Sequence, residues 1–145
     1  MIDVVDSGKR SAMMSRIRQK DTSPEWLVRR YLHARGFRYT LHRKDLAGTP
    51  DIVLPRHHAV VFVHGCFWHA HQGCRFAVTP STRRDFWIAK FESNRTRDEL
   101  AVRRLQGEGW RVVVVWECAL RSSRKEVLSK LEKFVTSTAP YAELG

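Results

Sequence analysis

Residues 60–74 have the sequence VVFVHGCFWHAHQGC, in which an apolar run leads directly into histidines, cysteines and aromatic rings. The β-branched and aromatic residues 60–63 predict a buried strand. The eleven residues that follow, His64–Cys74, contain three histidines, two cysteines and two large aromatics. Because side chains that carry chemistry collect at the C-terminal ends of strands in layered α/β folds, the stretch predicts a sheet strand with a functional site at its end.

Periodic segments elsewhere predict the elements that surround this strand. Thr22–Glu25 combines a hydroxyl cap, a proline in the first turn and an acidic residue, which predicts a helix that Gly36 ends. Further strands are expected at residues 37–42, 51–54 and 110–116, and further helices at about 82–106 and 123–135. The order helix, three strands, helix, strand, helix predicts an α/β fold in which helices flank a mixed sheet.

Length and composition indicate one soluble domain. The chain has 145 residues, of which 43% are hydrophobic, and this is enough for a single core. The longest uncharged apolar stretches, such as Val112–Trp116, are too short to cross a bilayer, and the first residues lack the pattern of a leader. A cytoplasmic protein without a membrane partner is therefore expected.

The chain is strongly basic, with a formal net charge of +11. Such a field attracts polyanions, and with aromatic residues interleaved it favours a nucleic-acid partner over a merely soluble basic protein. Residues 1–20 are polar and basic and are expected to form an arm that contacts DNA. One folded domain over residues 21–137 and a flexible tail over residues 138–145 are expected to follow.

Cysteines and histidines are spaced as metal ligands. Cys66, His71 and Cys74 lie within nine residues, and Cys118 follows the last expected strand. Three thiolates and one imidazole form a closed tetrahedral set of the kind that structural zinc takes. The alternative is a set of buried cysteines without metal, and spacing alone does not decide between His69 and His71 as the fourth ligand.

Two carboxylates, one in the first turn of an expected helix and one at the start of an expected strand, indicate a second metal site. Glu25 lies in the first turn of the first helix, and Asp51 begins a strand after Gly48-x-Pro50. A helix glutamate and a strand aspartate that converge on the next strand resemble the magnesium site of restriction-type nucleases, since Mg²⁺ prefers oxygen ligands. Taken singly, each has an ordinary explanation, as a helix charge and as a turn residue.

A third set comprises His64, His69 and Asp98. A histidine of near-neutral pKa can take a proton from water and so activate it. Asp98 shares an otherwise apolar helix stripe with Phe91 and Leu105, where an unpaired charge is expensive. A histidine from the 64–74 stretch is the expected partner; the alternative is a slightly rotated helix that leaves Asp98 in solvent.

Polar and aromatic side chains on the same helix and loop suggest contacts with DNA. A neighbouring stripe of the helix, displaced by about 65° from the apolar one, carries Lys90, Asn94 and Arg97. Three large rings lie in the loop or at the helix start, where they either wedge between bases or belong to the core: Phe67, Trp68 and Trp87.

Together these motifs resemble the very-short-patch repair (Vsr) endonucleases, which nick DNA at T:G mismatches. The resemblance covers roughly residues 9–121 and rests on several quoted runs: Asp21-Thr22-Ser23-x-Glu25, Gly48-x-Pro50-Asp51, Phe62-Val63-His64-Gly65-Cys66-Phe67-Trp68-His69, Thr82-Arg83-x-x-Phe86-Trp87, Asn94-x-x-Arg97-Asp98, Gly109-Trp110-Arg111-Val112 and Trp116-Glu117-Cys118.

The resemblance implies a restriction-endonuclease-like fold of the PD-(D/E)XK type with two metals. Structural zinc would be bound by Cys66, His71, Cys74 and Cys118. Catalytic Mg²⁺ would lie on Asp51 with help from the main-chain carbonyl of Val63. His69 would be the general base, supported by three residues: His64, Glu25 and Asp98.

The resemblance also implies how DNA is recognised. Phe67, Trp68 and Trp87 would enter the base stack beside the mismatch, while Met14 from the arm would approach the other groove. Lys90 and Asn94 would then be placed to read base edges. The protein would act as a monomer in the bacterial cytoplasm, at the nucleoid, and would nick the DNA on the 5′ side of the mismatched thymine. Other mismatch-repair proteins and a polymerase would complete the repair that this nick starts.

Two features depart from the usual nuclease pattern. The second acid and the lysine that normally follow Pro-Asp are missing, because the strand ends in Val63-His64. Some relatives have threonine where this chain has Val63, a change that a backbone ligand survives. Two other functions remain alternatives: a non-catalytic zinc module that binds DNA, and a restriction or homing-type nuclease that cuts intact duplex.

Overall fold

The structure is a computed structural model that describes residues 22–145. The expected DNA-contacting arm of residues 1–20, including Met14, therefore lies outside the described residues. Within residues 22–145, no helix is long and apolar enough to cross a membrane.

The predicted mixed α/β fold is confirmed, with a sheet of five strands in the described part of the chain and helices on both faces. The strands are β1 (Thr40–Leu41), β2 (Ile52–Leu54), β3 (Ala59–His64), β4 (Arg111–Trp116) and β5 (Tyr141–Leu144). The helices are α1 (Ser23–Ala34), α2 (Arg84–Gly107), α3 (Glu117–Ser122) and α4 (Arg124–Thr136), and a short 3₁₀ turn occupies Pro55–His57.

The strands lie in chain order across the sheet, β1-β2-β3-β4-β5. β2 pairs antiparallel with both β1 and β3, whereas β3, β4 and β5 run parallel to one another. His64 is paired with Trp116 at the end of the β3–β4 ladder. The loop that follows β3 and the helix α3 that follows β4 therefore start side by side, which brings the 64–74 stretch next to Cys118.

Strand β4 is buried on both faces, as its unbroken apolar run predicts. Val113 and Val115 pack into a core with the helices α1, α3 and α4, whose side chains include Leu32, Leu120 and Leu131. The alternate residues of β4 belong to a second core on the opposite face, which includes Cys66 and, from α2, Leu105.

Helix α1 begins as its sequence predicts. The Thr22 hydroxyl accepts a hydrogen bond from the Glu25 amide at 3.4 Å, a cap generally worth about 1 kcal/mol. Val28 and Leu32 on its inner face are completely buried. Glu25 is also completely buried, so it is not the solvated helix charge that its position alone would suggest.

The expectation of a flexible tail over residues 138–145 does not hold for Tyr141–Leu144, which form β5 and pair with β4. The physical reason is that β4, once buried on both faces, needs a partner for its free backbone edge. The Arg111 guanidinium secures the approach by donating hydrogen bonds to the carbonyls of Phe134, Val135 and Ala139. The first strand is also shorter than residues 37–42, being confined to Thr40–Leu41.

Candidate active site

A buried carboxylate pair lies where α1 meets the β2–β3 hairpin. Asp51 directly precedes β2, and its Oδ2 accepts a hydrogen bond from the Val63 amide on β3 at 2.7 Å. Burial, and then the negative charge of Glu25, raise the pKa of Asp51 well above its usual range. Because the charge of Glu25 disfavours the ionised form of the buried Asp51, a cation bound here would be stabilised by both carboxylates. In the structure Val63 contacts Asp51 through its N–H group. A metal-binding role for the Val63 carbonyl stays a prediction.

The approach to Asp51 depends on a glycine. Gly48 has φ +72°, a conformation that side-chain-bearing residues rarely adopt, and an added Cβ would lie 2.7 Å from the Ala101 Cβ of α2. The loop before β2 can therefore lie against α2 only with glycine here. This gives a physical reason for the Gly48-x-Pro50-Asp51 motif.

Two residues that the sequence did not single out complete the carboxylate site. The Arg29 guanidinium lies 2.9 Å from Glu25 Oε2 and 3.0 Å from His42 Nε2. His42 also places Nε2 3.5 Å from Glu25 Oε2 and Nδ1 3.8 Å from Asp51 Oδ1. The i, i+4 spacing of Glu25 and Arg29 is a signal for this ion pair, whereas the loop position of His42 carries none.

The predicted histidine partner of Asp98 is confirmed, and it is His69. His69 Nδ1 lies 2.6 Å from Asp98 Oδ2. With the Nδ1 proton donated to the carboxylate, Nε2 carries the lone pair that can accept a proton. Asp98 thus orients a base that stays partly accessible, since the His69 side chain is 25% exposed.

The buried His64 lies beneath this pair. Its ring stacks on His69 with centroids 3.8 Å apart and planes within 5°. Burial, and next the proximity of His69, lower the pKa of His64 well below its ordinary value, so the ring is neutral. Its Nδ1 has no hydrogen-bond partner within residues 22–145, which leaves capacity for water or a substrate oxygen.

One strand end connects the two sets, because Val63 holds Asp51 and the next residue, His64, supports His69. His69 and Asp98 line a cleft of about 490 Å³ between α2 and the ends of the strands. The same cleft is lined by the cations Arg95 and Arg103. The carboxylates of Asp98, Glu99 and Glu143 line it as well, so the cleft carries charges of both signs.

The cysteine-histidine cluster forms as the spacing predicts. One ligand atom from each of Cys66, His71, Cys74 and Cys118 lies within 4.8 Å of the others. His71 Nδ1 is 3.7 Å from Cys66 Sγ and 3.4 Å from Cys118 Sγ. The structure therefore places His71, and not His69, with the thiols. Three sulfurs and one nitrogen at this spacing fit the donor set of tetrahedral zinc.

The expected wedge residues form a half-buried aromatic cluster. Phe67 lies edge-on to Trp68 at 5.2 Å and to Trp87 at 5.5 Å between ring centroids, and the buried Phe91 packs beneath them. Asn94 donates a hydrogen bond from Nδ2 to the Trp68 carbonyl at 2.9 Å. In this state the Asn94 amide fixes the aromatic loop, so any reading of base edges by Asn94 requires this bond to break.

Comparison of the sequence with known proteins identifies its family. Residues 2–75 match the family model described as DNA mismatch endonuclease Vsr. The chain is 52% identical over 120 residues to the type II nicking enzyme V.XorIIP of Xanthomonas oryzae pv. oryzae, covering 83% of this chain and 88% of the relative. It is 38% identical over 148 residues to the DNA mismatch endonuclease Vsr of Escherichia coli, covering 99% and 94%. The type II nicking enzyme V.NmeAIP of Neisseria meningitidis is 42% identical over 133 residues, covering 90% and 94%. The resemblance inferred from the motifs is thereby confirmed: the chain belongs to the Vsr family of DNA mismatch endonucleases.

Proposed function

We propose that this protein is a Mg²⁺-dependent endonuclease that nicks DNA on the 5′ side of the thymine in a T:G mismatch. The observation that carries the proposal is that consecutive residues at the end of β3 contact two chemical sets: Val63 holds Asp51, which lies beside Glu25, and His64 stacks on His69, which pairs with Asp98. Family membership supports endonuclease activity on mismatched DNA, since the relatives bear the names of mismatch endonucleases and nicking enzymes.

The carboxylate site fits a hard divalent cation. Asp51 would hold it, with the Val63 carbonyl and Glu25 assisting, because buried carboxylates with a raised pKa gain most from a neighbouring cation. When bound, the cation supplies Lewis-acid charge to the phosphodiester. The Val63 amide meanwhile fixes the Asp51 carboxylate.

His69 would act as the general base. Asp98 holds the Nδ1 proton, so Nε2 takes a proton from the attacking water. As water oxygen bonds to phosphorus, one ester P–O bond breaks and the strand is nicked. His64, neutral and stacked against His69, keeps the base in place.

Recognition of the mismatch would begin with the aromatic cluster. Insertion of Phe67, Trp68 and Trp87 costs a few kcal/mol of unstacking, and less at a poorly stacked T:G wobble than at a Watson–Crick pair. Lys90 and Asn94 would then reach base edges in the major groove, and Met14 would approach from the arm of residues 1–20. The positive net charge supplies the sequence-independent attraction.

Structural zinc would be held by Cys66, His71, Cys74 and Cys118. Closed coordination by these four ligands would join the loop after β3 to the start of α3. We propose that the protein acts as a monomer and leaves repair synthesis to a polymerase and other mismatch-repair proteins.

The deciding experiment compares nicking of a T:G duplex and a fully paired T:A duplex, with Mg²⁺ and with a chelator. We expect Mg²⁺-dependent nicks in the thymine strand of the T:G duplex, abolished in Asp51→Asn while DNA binding persists. Binding without any nick would indicate a non-catalytic DNA-binding module. Equal cutting of both duplexes would indicate a restriction or homing-type nuclease.

A further inference from the structure

We infer that Arg29 sets the metal preference of the carboxylate site by preventing His42 from acting as a ligand, so that only oxygen donors face the cation. The inference rests on the proposed function in one respect, namely that Glu25 and Asp51 bind a divalent cation. Its consequence is a site that favours Mg²⁺ over divalent metals that prefer nitrogen ligands.

The side chains of Glu25, His42 and Asp51 are close enough together to form a three-ligand site. One candidate ligand atom from each lies within 4.8 Å of the others. If imidazole nitrogen joined the two carboxylates, the site would favour metals such as Co²⁺ or Ni²⁺, because these bind imidazole more strongly than Mg²⁺ does. The geometry of the cluster alone therefore points away from the hard cation of the proposed mechanism.

Arg29 changes this expectation. Its side chain is 4% exposed, and its terminal nitrogen lies 3.0 Å from His42 Nε2 and 2.9 Å from Glu25 Oε2. A guanidinium only donates hydrogen bonds and stays protonated at all relevant pH values. Nε2 of His42 is therefore the acceptor in this contact.

The acceptor role has a direct consequence for metal binding. An imidazole nitrogen has one lone pair in the ring plane, and at Nε2 of His42 the hydrogen bond from Arg29 uses it. In the neutral ring the proton is then on Nδ1, which faces Asp51 Oδ1 at 3.8 Å and has no lone pair to offer. His42 is thus excluded as a ligand at both nitrogens as long as Arg29 is in place.

Arg29 also carries a positive charge next to both carboxylates, so removing it changes cation affinity in two ways. Loss of the charge strengthens the binding of every divalent cation. Release of the His42 lone pair strengthens only the binding of metals that favour nitrogen. The ratio of Co²⁺ to Mg²⁺ affinity separates the two effects, and the double variant Arg29→Met/His42→Gln is the matched control.

The test measures metal binding without DNA, so it does not depend on nicking activity. Zinc-saturated proteins are titrated calorimetrically with Co²⁺ and with Mg²⁺, and the site is identified by loss of binding in Asp51→Asn. We expect the Co²⁺ to Mg²⁺ affinity ratio to rise at least tenfold in Arg29→Met and to return to within threefold of the wild-type ratio in the double variant. Pulsed electron paramagnetic resonance of bound Mn²⁺ should show an additional nitrogen coupling in Arg29→Met that is absent from wild type and from the double variant.

The single variant His42→Gln keeps the inference testable if Arg29→Met does not fold. In wild-type background this change should alter Co²⁺ affinity less than threefold, because His42 is not a ligand. A tenfold loss, or a nitrogen coupling in wild type that His42→Gln removes, would overturn the inference. Absence of any Asp51-dependent cation binding would overturn it as well, together with the proposed cation site; cation binding without nicking would contradict only the proposed function.

Discussion

At the scale of single residues, the hydrogen bond between Asp98 and His69 determines which ring nitrogen of His69 carries the proton. The 2.6 Å contact at Nδ1 leaves Nε2 as the basic nitrogen, and the stacked ring of His64 restricts rotation. A carboxylate in this position does two things, since it fixes the tautomer and stabilises the imidazolium that forms on proton transfer.

Replacing Asp98 by Asn keeps the shape of the side chain but removes the charge. We expect kcat for nicking of a T:G duplex to fall by roughly 10²–10⁴, because the amide supports the wrong tautomer and no longer stabilises the protonated ring. Single-turnover rates at saturating Mg²⁺ measure the effect, and the affinity for uncleaved DNA should stay within about threefold. A near-normal rate in the folded variant would contradict the proposed role of Asp98 in orienting and stabilising His69.

At the level of single residues, the sequence predicted a contact where a charged side chain on an apolar face required a partner. Asp98 lies on an apolar helix stripe, so a histidine partner was predictable, and His69 supplies it. The i, i+4 spacing indicated the Glu25–Arg29 ion pair, whereas the position of His42 was not predictable, because it depends on how the loop after β1 folds over α1. His42 lies in the left-handed region with φ +47°, a conformation that the sequence of the loop does not indicate.

At the scale of elements, the cysteine cluster joins segments that are distant in sequence. Cys66 follows β3, Cys118 lies in the first turn of α3, and His71 stacks on Trp116 at the end of β4 with centroids 3.9 Å apart. A metal here would hold the ends of two parallel strands in register. Spacing predicted the cluster, and the structure was needed to decide between the two histidines.

Metal analysis of the purified protein should find about one zinc per chain. Cys118→Ala should bind zinc at least tenfold more weakly and should lower the Tm, because the free energy of structural zinc binding contributes to folding. Zinc added back after chelation should restore the Tm of the wild type but not that of the variant. Folded, active protein without zinc would contradict the assignment.

Helices α1 and α4 are joined by a pH-sensitive contact. Tyr31 donates a 2.6 Å hydrogen bond to Glu132, and Arg35 donates another at 3.1 Å. The hydrogen bond from Tyr31, assisted by Arg35, lowers the pKa of Glu132 below its ordinary value of 4.5. The ionised Glu132 carboxylate therefore stabilises the fold fully above about pH 4.5. This stabilisation is lost as the pH falls through the lower pKa that Glu132 has in the folded state.

Glu132→Gln should reduce the free energy of unfolding at pH 7, and the difference from wild type should shrink as the pH falls below about 4.5. Urea denaturation at a series of pH values measures this dependence. Glu126→Gln on the same helix is the matched control, since Glu126 pairs with Lys130 at the exposed surface and should contribute little. A pH-independent difference for Glu132→Gln would show that packing, not charge, joins the helices.

The strand β5 illustrates what sequence patterns miss at this scale. Buried strands β3 and β4 were predictable from continuous apolar runs, whereas Tyr141–Leu144 alternate between exposed and half-buried positions at the sheet edge. Its formation follows from the free edge of β4 and from the Arg111 hydrogen bonds, both of which are tertiary features.

At the scale of the whole molecule, attraction to DNA and selection of a mismatch are carried by different features. The charge of +11 acts on any DNA and weakens with salt, because binding releases counterions. In the proposed function, the aromatic cluster would act through the cost of unstacking, which depends on the base pair. In the structure Asn94 links the Trp68 backbone to the helix that carries Asp98, so the cluster lies near the His69–Asp98 pair, and a base step that it opened would lie near His69.

Trp68→Ala should therefore lower the preference for T:G over T:A duplex by about tenfold or more, since stacking is generally worth 1–3 kcal/mol per base. Non-specific binding and its salt dependence should stay nearly unchanged, because the charge is unaltered. Trp110→Ala is the control for loss of a half-buried tryptophan, since Trp110 packs edge-on against His58 at 5.3 Å and is not in the cluster. Nicking and binding are compared on both duplexes at several salt concentrations, after zinc content and folding have been checked. An unchanged preference in folded Trp68→Ala, or an equal loss in Trp110→Ala, would assign Trp68 to the hydrophobic core instead of to mismatch recognition.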